Sequence, residues 1–117
     1  MPAKAEKVSN VAAKNVEIEG AQGATIRILI SKTDGADNFA MRMFEIQPGG
    51  HTPLHSHPHE HEVFILGGEG IFVCEGKEHG IAAEYVVFVP GGEEHQFRNT
   101  GDSVLRFLCL VPASAAG

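Results

Sequence analysis

Turn signals interrupt this chain roughly every 8–12 residues, and no stretch between them sustains a long 3.6-residue apolar period. Asp34-Gly35, Pro48-Gly49-Gly50, Gly67-Gly68-Glu69-Gly70, Glu75-Gly76-Lys77, Pro90-Gly91-Gly92 and Asn99-Thr100-Gly101-Asp102 are built from residues that pre-set or tolerate turn dihedrals. The runs between them predict strands at about 25–31, 39–47, 52–56, 62–66, 70–74, 80–83, 86–89, 95–98 and 104–111. Many short strands with no helix between them make an all-β sandwich or barrel. With 117 residues there is room for one such domain and no second. We place it at 16–113, after a polar Ala/Lys-rich arm at 1–15 that is either loose or an edge strand given to a partner, and before a tail at 114–117.

Nine basic residues against fifteen acidic give a net charge of −6, which argues against a nucleic-acid or anionic-membrane surface. The first residues, Met1 to Lys7, carry no apolar signal-like region, and no run approaches the roughly 18 apolar residues of a membrane span. Cys74 and Cys109 form no CxxC pair and both sit in apolar-alternating segments, so they read as buried free thiols. A cytoplasmic protein is expected.

Histidine is distributed unevenly. Of seven, five (His51, His55, His57, His59 and His61) fall within eleven residues. In extended chain, His55 and His57 project from one face and can aim at one point, and His61 follows after Pro58-His59-Glu60, where the chain can bend. His95 stands just after Pro90-Gly91-Gly92. Neutral imidazoles are good ligands for divalent first-row metals, so His55 and His57 with a third histidine nearby point to metal binding. His59 reads as a loop residue near the mouth of the site, His51 as a surface residue, and His79 as solvated in its turn.

Two segments resemble the paired motifs of the cupin superfamily. Residues 49–70, from Gly49 through His55-Ser56-His57 and Glu62 to the Gly67-Gly68-Glu69-Gly70 turn, are similar to G(x)5HxH(x)3–4E(x)6G, with the closing glycine slightly shifted. Pro90, Gly92, His95 and Asn99 match the second motif, G(x)5PxG(x)2H(x)3N, whose first glycine falls on Glu84 here. The resemblance implies a single-domain jelly-roll barrel with a metal held inside it, and a homodimer. It also bears on the fourth ligand, which alternation leaves open between His61 and Glu62 because Val63/Ile65 and Phe64/Leu66 are apolar on both faces. His-Ser-His-Pro-x-Glu-His-Glu is similar to small manganese cupins with four histidine ligands, which implies His55, His57, His61 and His95, with Glu62 as the alternative. The expected cofactor is one divalent ion, Mn or Fe ahead of Ni, Cu or Zn.

If His95 points inward, Phe97 does too, and outward Arg106 puts Phe107 and Cys109 inside. Arg42 shares a face with Ala40, Phe44 and Ile46, so it either snorkels at an edge or reaches into the cavity to clamp a substrate anion. No nucleophile–base pair and no phosphate loop is present. The expected function is a mononuclear Mn/Fe enzyme carrying out oxygen-dependent chemistry on a small organic molecule. The alternatives are a non-enzymatic metal-dependent binding module and a Lewis-acid lyase, isomerase or cyclase.

Overall fold

A computed structural model describes residues 2–115; the last two residues of the expected tail, Ala116 and Gly117, lie outside the described residues. The strands are β1 Lys14–Asn15, β2 Gln22–Ile30, β3 Phe39–His51, β4 His61–Gly67, β5 Glu69–Cys74, β6 Lys77–Ala82, β7 Val86–Val89, β8 His95–Arg98 and β9 Leu105–Pro112. The only helical pieces among the described residues are three single 3-10 turns. Neighbours run in the order β6-β5-β8-β3-β9-β4-β7, with β2 added to β3 and β1 to β2. Every ladder is antiparallel, and the sheet curls on itself as an all-β jelly-roll. Its inner face carries the core, including Ile46, Val63, Ile65, Phe72, Val89, Phe97, Leu105 and Phe107.

Strand β4 shows which face of its apolar pattern turns inward. His61, Val63 and Ile65 are buried, whereas Glu62, Phe64 and Leu66 point out. The outer face is itself apolar, which is why alternation was invisible in the sequence.

Strand β3 runs longer than its pattern suggests. Pro48-Gly49-Gly50 is not a turn that ends it but a bend within it, where the chain leaves its partner β9 and reaches β8. Gly49 has φ +82°, and a Cβ on Gly50 would sit 2.5 Å from the Gln22 carbonyl oxygen, so the bend needs glycine at both positions. The Gly49 N–H donates to the Asn99 carbonyl and the Asn99 N–H to that of Gly50. The buried Asn99 amide also donates to the carbonyls of Ile46 and Ser103, both at 2.8 Å. Asn99 therefore staples this corner, a structural duty for a residue the second motif contains. The strand expected at 52–56 reduces to one bridge, His55 to His95.

Glu84 stands where the second motif has glycine, and its φ is +71°. A side chain in the left-handed region costs about 1 kcal/mol relative to glycine, while glycine loses more entropy on folding. With the glycine term at roughly 0.5–1 kcal/mol, Glu84→Gly is therefore expected to raise stability by no more than about 0.5 kcal/mol, read from urea denaturation midpoints.

Candidate metal centre

The two motifs meet because the Pro90-Gly91-Gly92 turn clasps the histidine loop. The Gly92 N–H, in a residue with φ +81°, donates to the His57 carbonyl at 2.7 Å. A Cβ on Gly91 would lie 2.3 Å from the Pro58 carbonyl oxygen, so only glycine allows that approach. Beside the clasp, His55 and His95 exchange backbone hydrogen bonds at 3.2 and 2.9 Å. Strand β4 starts at His61 and aims it at the same place.

The rings of His55, His57 and His95 lie 4.9–5.1 Å apart centre to centre, and His61 is 4.4 Å from His57 and 5.2 Å from His95. Ligand nitrogens of His55, His57 and His95 fall within 4.8 Å of one another, as do those of His57, His59 and His61. Either group can hold a metal ion, and His57 belongs to both.

Hydrogen bonds decide which nitrogens face inward. His57 Nδ1 donates to the His59 carbonyl at 3.0 Å and His95 Nδ1 to the Glu93 carbonyl at 2.9 Å. A carbonyl only accepts, so in both rings the proton sits on Nδ1 and the lone pair on Nε2. His61 Nδ1 lies 2.8 Å from Cys109 Sγ, and its Nε2 is 2.6 Å from that of His57. Two such nitrogens at this distance must share a proton or a cation. The Nε2 atoms of His57 and His95 are turned inward by ties at their far edges, as a ligand-orienting shell turns them, which fits a divalent metal. His61 differs: its Nδ1 accepts from the Arg42 guanidinium at 3.3 Å, so in the neutral ring the proton sits on Nε2, facing His57 Nε2, and leaves when a metal takes its place.

Burial disfavours the charged form of His55, His59, His61 and His95. Desolvation, with repulsion from His57 and Arg42, holds His61 down to about 2. Desolvation likewise lowers His55, His59 and His95. A folded value below the ordinary 6.5 means that the unfolded chain takes up protons first, so stability is present above 6.5 and declines as pH falls below it. Metal-free protein is expected to lose on the order of 5 °C in Tm between pH 7.5 and 5, and His61→Ala to flatten that slope, measured by scanning calorimetry.

The sequence reading set His59 apart, yet its ring stacks on that of His57 at 3.9 Å with 2° between the planes. The signal was available: the i, i+2 spacing that singled out His55 and His57 continues through His59 to His61. Glu62 sits on the opposite, exposed face, across from Phe88. His51 contacts Gln96 and the Thr52 carbonyl away from the cluster, and His79 is exposed on β6.

The histidines line a cavity of about 350 Å³. Phe97, Phe107 and Cys109, all buried, form part of its wall. Arg42 lines it as well, and its Nη2 reaches Cys109 Sγ and His61 Nδ1, both at 3.3 Å. Val16 and Ile18, next to the N-terminal arm, complete the wall.

A jelly-roll whose interior histidines converge beside an apolar cavity defines a cupin-type barrel. The chain belongs to the cupin family: residues 42–111 match the model described as a cupin domain. It is 42% identical over 73 residues to a 1-methylthio-D-xylulose 5-phosphate methylsulfurylase of Rhodospirillum rubrum, a match covering 62% of this chain and 47% of that protein. The chain thus spans about half the length of that relative. It is 37% identical over 110 residues to an oxalate-binding protein of Thermotoga maritima, covering 91% of this chain and 84% of that one. Among solved structures, the polyketide cyclase RemF of Streptomyces resistomycificus superposes with a TM-score of 0.90 at 35% identity, over 96% of this chain and 80% of that one.

Proposed function

We propose that His55, His57, His61 and His95 hold one divalent cation, and that the cavity above it binds and activates a small oxygen-bearing organic molecule without oxidising it. The observation that carries this reading is the set of tied Nδ1 atoms, which turns the Nε2 lone pairs of His57 and His95 inward. When bound, the cation supplies Lewis-acid polarisation of a substrate oxygen. The residues do the rest. Four neutral imidazoles contribute no negative charge, Glu62 points away, and Arg42 adds a positive charge beside the site, so developing negative charge on a substrate is stabilised and a higher-valent metal is not. Phe97 and Phe107 exclude water. Similarity to a polyketide cyclase and to an oxalate-binding protein supports a small-molecule ligand of this kind.

The oxygen-dependent Mn or Fe chemistry expected above is the competing reading. Protein loaded in turn with Mn, Fe and Zn, then assayed for oxygen uptake and for product with small diketones, phenols and acids, separates the two. Turnover with zinc and no oxygen uptake is expected. Uptake confined to the Mn or Fe form would overturn the non-oxidative reading, and tight ligand binding with no turnover for any metal would make the protein a binding module.

We further infer a homodimer. Val86 (77% exposed), Phe88 (56%), Phe64 (41%) and Leu66 (39%) form a continuous apolar outer face on β7 and β4, and β7 is an unpaired edge. An apolar face of several hundred Å² approaches what each partner of a stable pair buries, and self-association covers it and the edge together. Sedimentation is expected to give a dimer, reduced to monomer by Phe88→Glu. Both cysteines are free thiols, consistent with a reducing compartment, and we place the protein in the cytoplasm. No helix among the described residues is long and apolar enough to cross a membrane.

A further inference from the structure

We propose that Arg42 is the anion-recognition point of the cavity, and that its ligand is an apolar-bodied organic carboxylate rather than a compact dianion. The proposal rests on the reading of the cavity as a small-molecule site. Arg42 lies in β3 with β2 on one side and β9 on the other, paired to Ile28 and Cys109, so it has no sheet edge at which to snorkel. The guanidinium turns into the cavity instead.

What surrounds it there leaves its charge unanswered. Arg27, Arg98 and Arg106 each meet a carboxylate, whereas Arg42 makes no salt bridge among the described residues. Its neighbours are the sulfur of Cys109, the Nδ1 edge of His61 and the face of Phe44, 5.2 Å from the guanidinium carbon. Its Nε is buried with no hydrogen-bond partner, as are those of Arg27 and Arg98, but those two arginines have a carboxylate to answer their charge. The one carboxylate lining the cavity, Glu17, is exposed. A half-buried guanidinium without an anion is poorly compensated, and a planar carboxylate is the partner its fork geometry matches.

The wall specifies the body of the ligand. Phe44 stacks on Phe107 at 5.3 Å and Phe107 on Phe97 at 4.6 Å, with 21° and 29° between planes. The three rings form a packed apolar column behind the cavity, with Phe97 and Phe107 buried, so the body of the ligand meets an apolar wall. A cavity of about 350 Å³ has room for a bicyclic acid, which meets far more of the apolar lining than a small dianion does. The guanidinium meets the Nδ1 edge of His61 while Nε2 faces the cluster, so the anionic group and the part of the ligand facing the histidines are separate points.

The test compares 2-naphthoate, its neutral amide 2-naphthamide, and oxalate by isothermal titration at fixed ionic strength. Each is measured on metal-loaded and metal-free full-length protein, with metal content read separately by mass spectrometry. Naphthoate is expected to bind at least about 10-fold tighter than either competitor. That preference should vanish in Arg42→Gln, compared with wild type in the metal-free state and at matched metal loading, and persist in part in Arg42→Lys. Equal binding of naphthoate and naphthamide to wild-type protein, a preference for oxalate, or an undiminished preference in Arg42→Gln would overturn the proposal. If Arg42→Gln does not fold, the wild-type comparison and Arg42→Lys still decide. Should the wild type take up no metal yet keep the Arg42-dependent preference, the metal reading fails and the anion site stands.

Discussion

His57→Ala is expected to abolish stoichiometric metal binding, with affinity falling by more than about 100-fold, beyond the 10–100-fold typical of losing an outer partner of a ligand. His57 is the one residue common to both candidate donor groups, and its Nε2 faces that of His61 at 2.6 Å. No neighbour replaces it, because His59 is held by the same loop, parallel to the ring that would be lost. The contacts that shape the site are made by backbone: the Gly92 N–H bonds the His57 carbonyl, and His55 bridges His95 through main-chain groups. The variant should therefore fold. Metal-to-protein ratios after gel filtration should drop from about one to near zero, while Tm of the metal-free variant stays within a few °C of metal-free wild type. A variant that keeps its metal would remove His57 from the site.

Gly68→Ala is expected to cost about 3 kcal/mol or more, on the order of 10 °C in Tm. Gly68 has φ +84°, and an added Cβ would sit 2.4 Å from the Val104 carbonyl oxygen and 2.8 Å from Leu105 Cα. Both obstacles are backbone, and Leu105 is fully buried in the core, so neither can yield. The adjacent Gly67 has open space around its Cβ position and a negative φ, so Gly67→Ala should change stability by no more than about 0.5 kcal/mol. Thermal melts of the two alanine variants test this directly, and equal effects would contradict it.

That pair shows where sequence reasoning stops. Gly67-Gly68-Glu69-Gly70 announces a turn, but which of its glycines are irreplaceable depends on Val104 passing close to Gly68 and Arg98 close to Gly70, contacts between residues far apart in the chain. The strands at 86–89 and 95–98 were legible to the residue because turn residues bracket short alternating runs. The bend at Pro48-Gly49-Gly50 was read as a chain reversal, since nothing local reveals that β3 continues to a second partner. The inward side of β4 was hidden because the outer face is equally apolar. At the candidate site, the spacing of His55 and His57 and the motif around His95 carried the cluster, whereas Arg42 stayed ambiguous until β2 and β9 were seen to flank it. His59 lies in a loop lining the cavity, and only the fold reveals that its ring stacks on that of His57.

The claim that four histidines hold one ion is tested most directly by anomalous diffraction from crystals grown with a divalent metal. We expect a single peak per chain, about 2.0–2.3 Å from Nε2 of His57, His61 and His95 and from a ring nitrogen of His55, with Glu62 outside the coordination sphere. A peak ligated by Glu62 in place of His61, or no peak among the histidines, would contradict it.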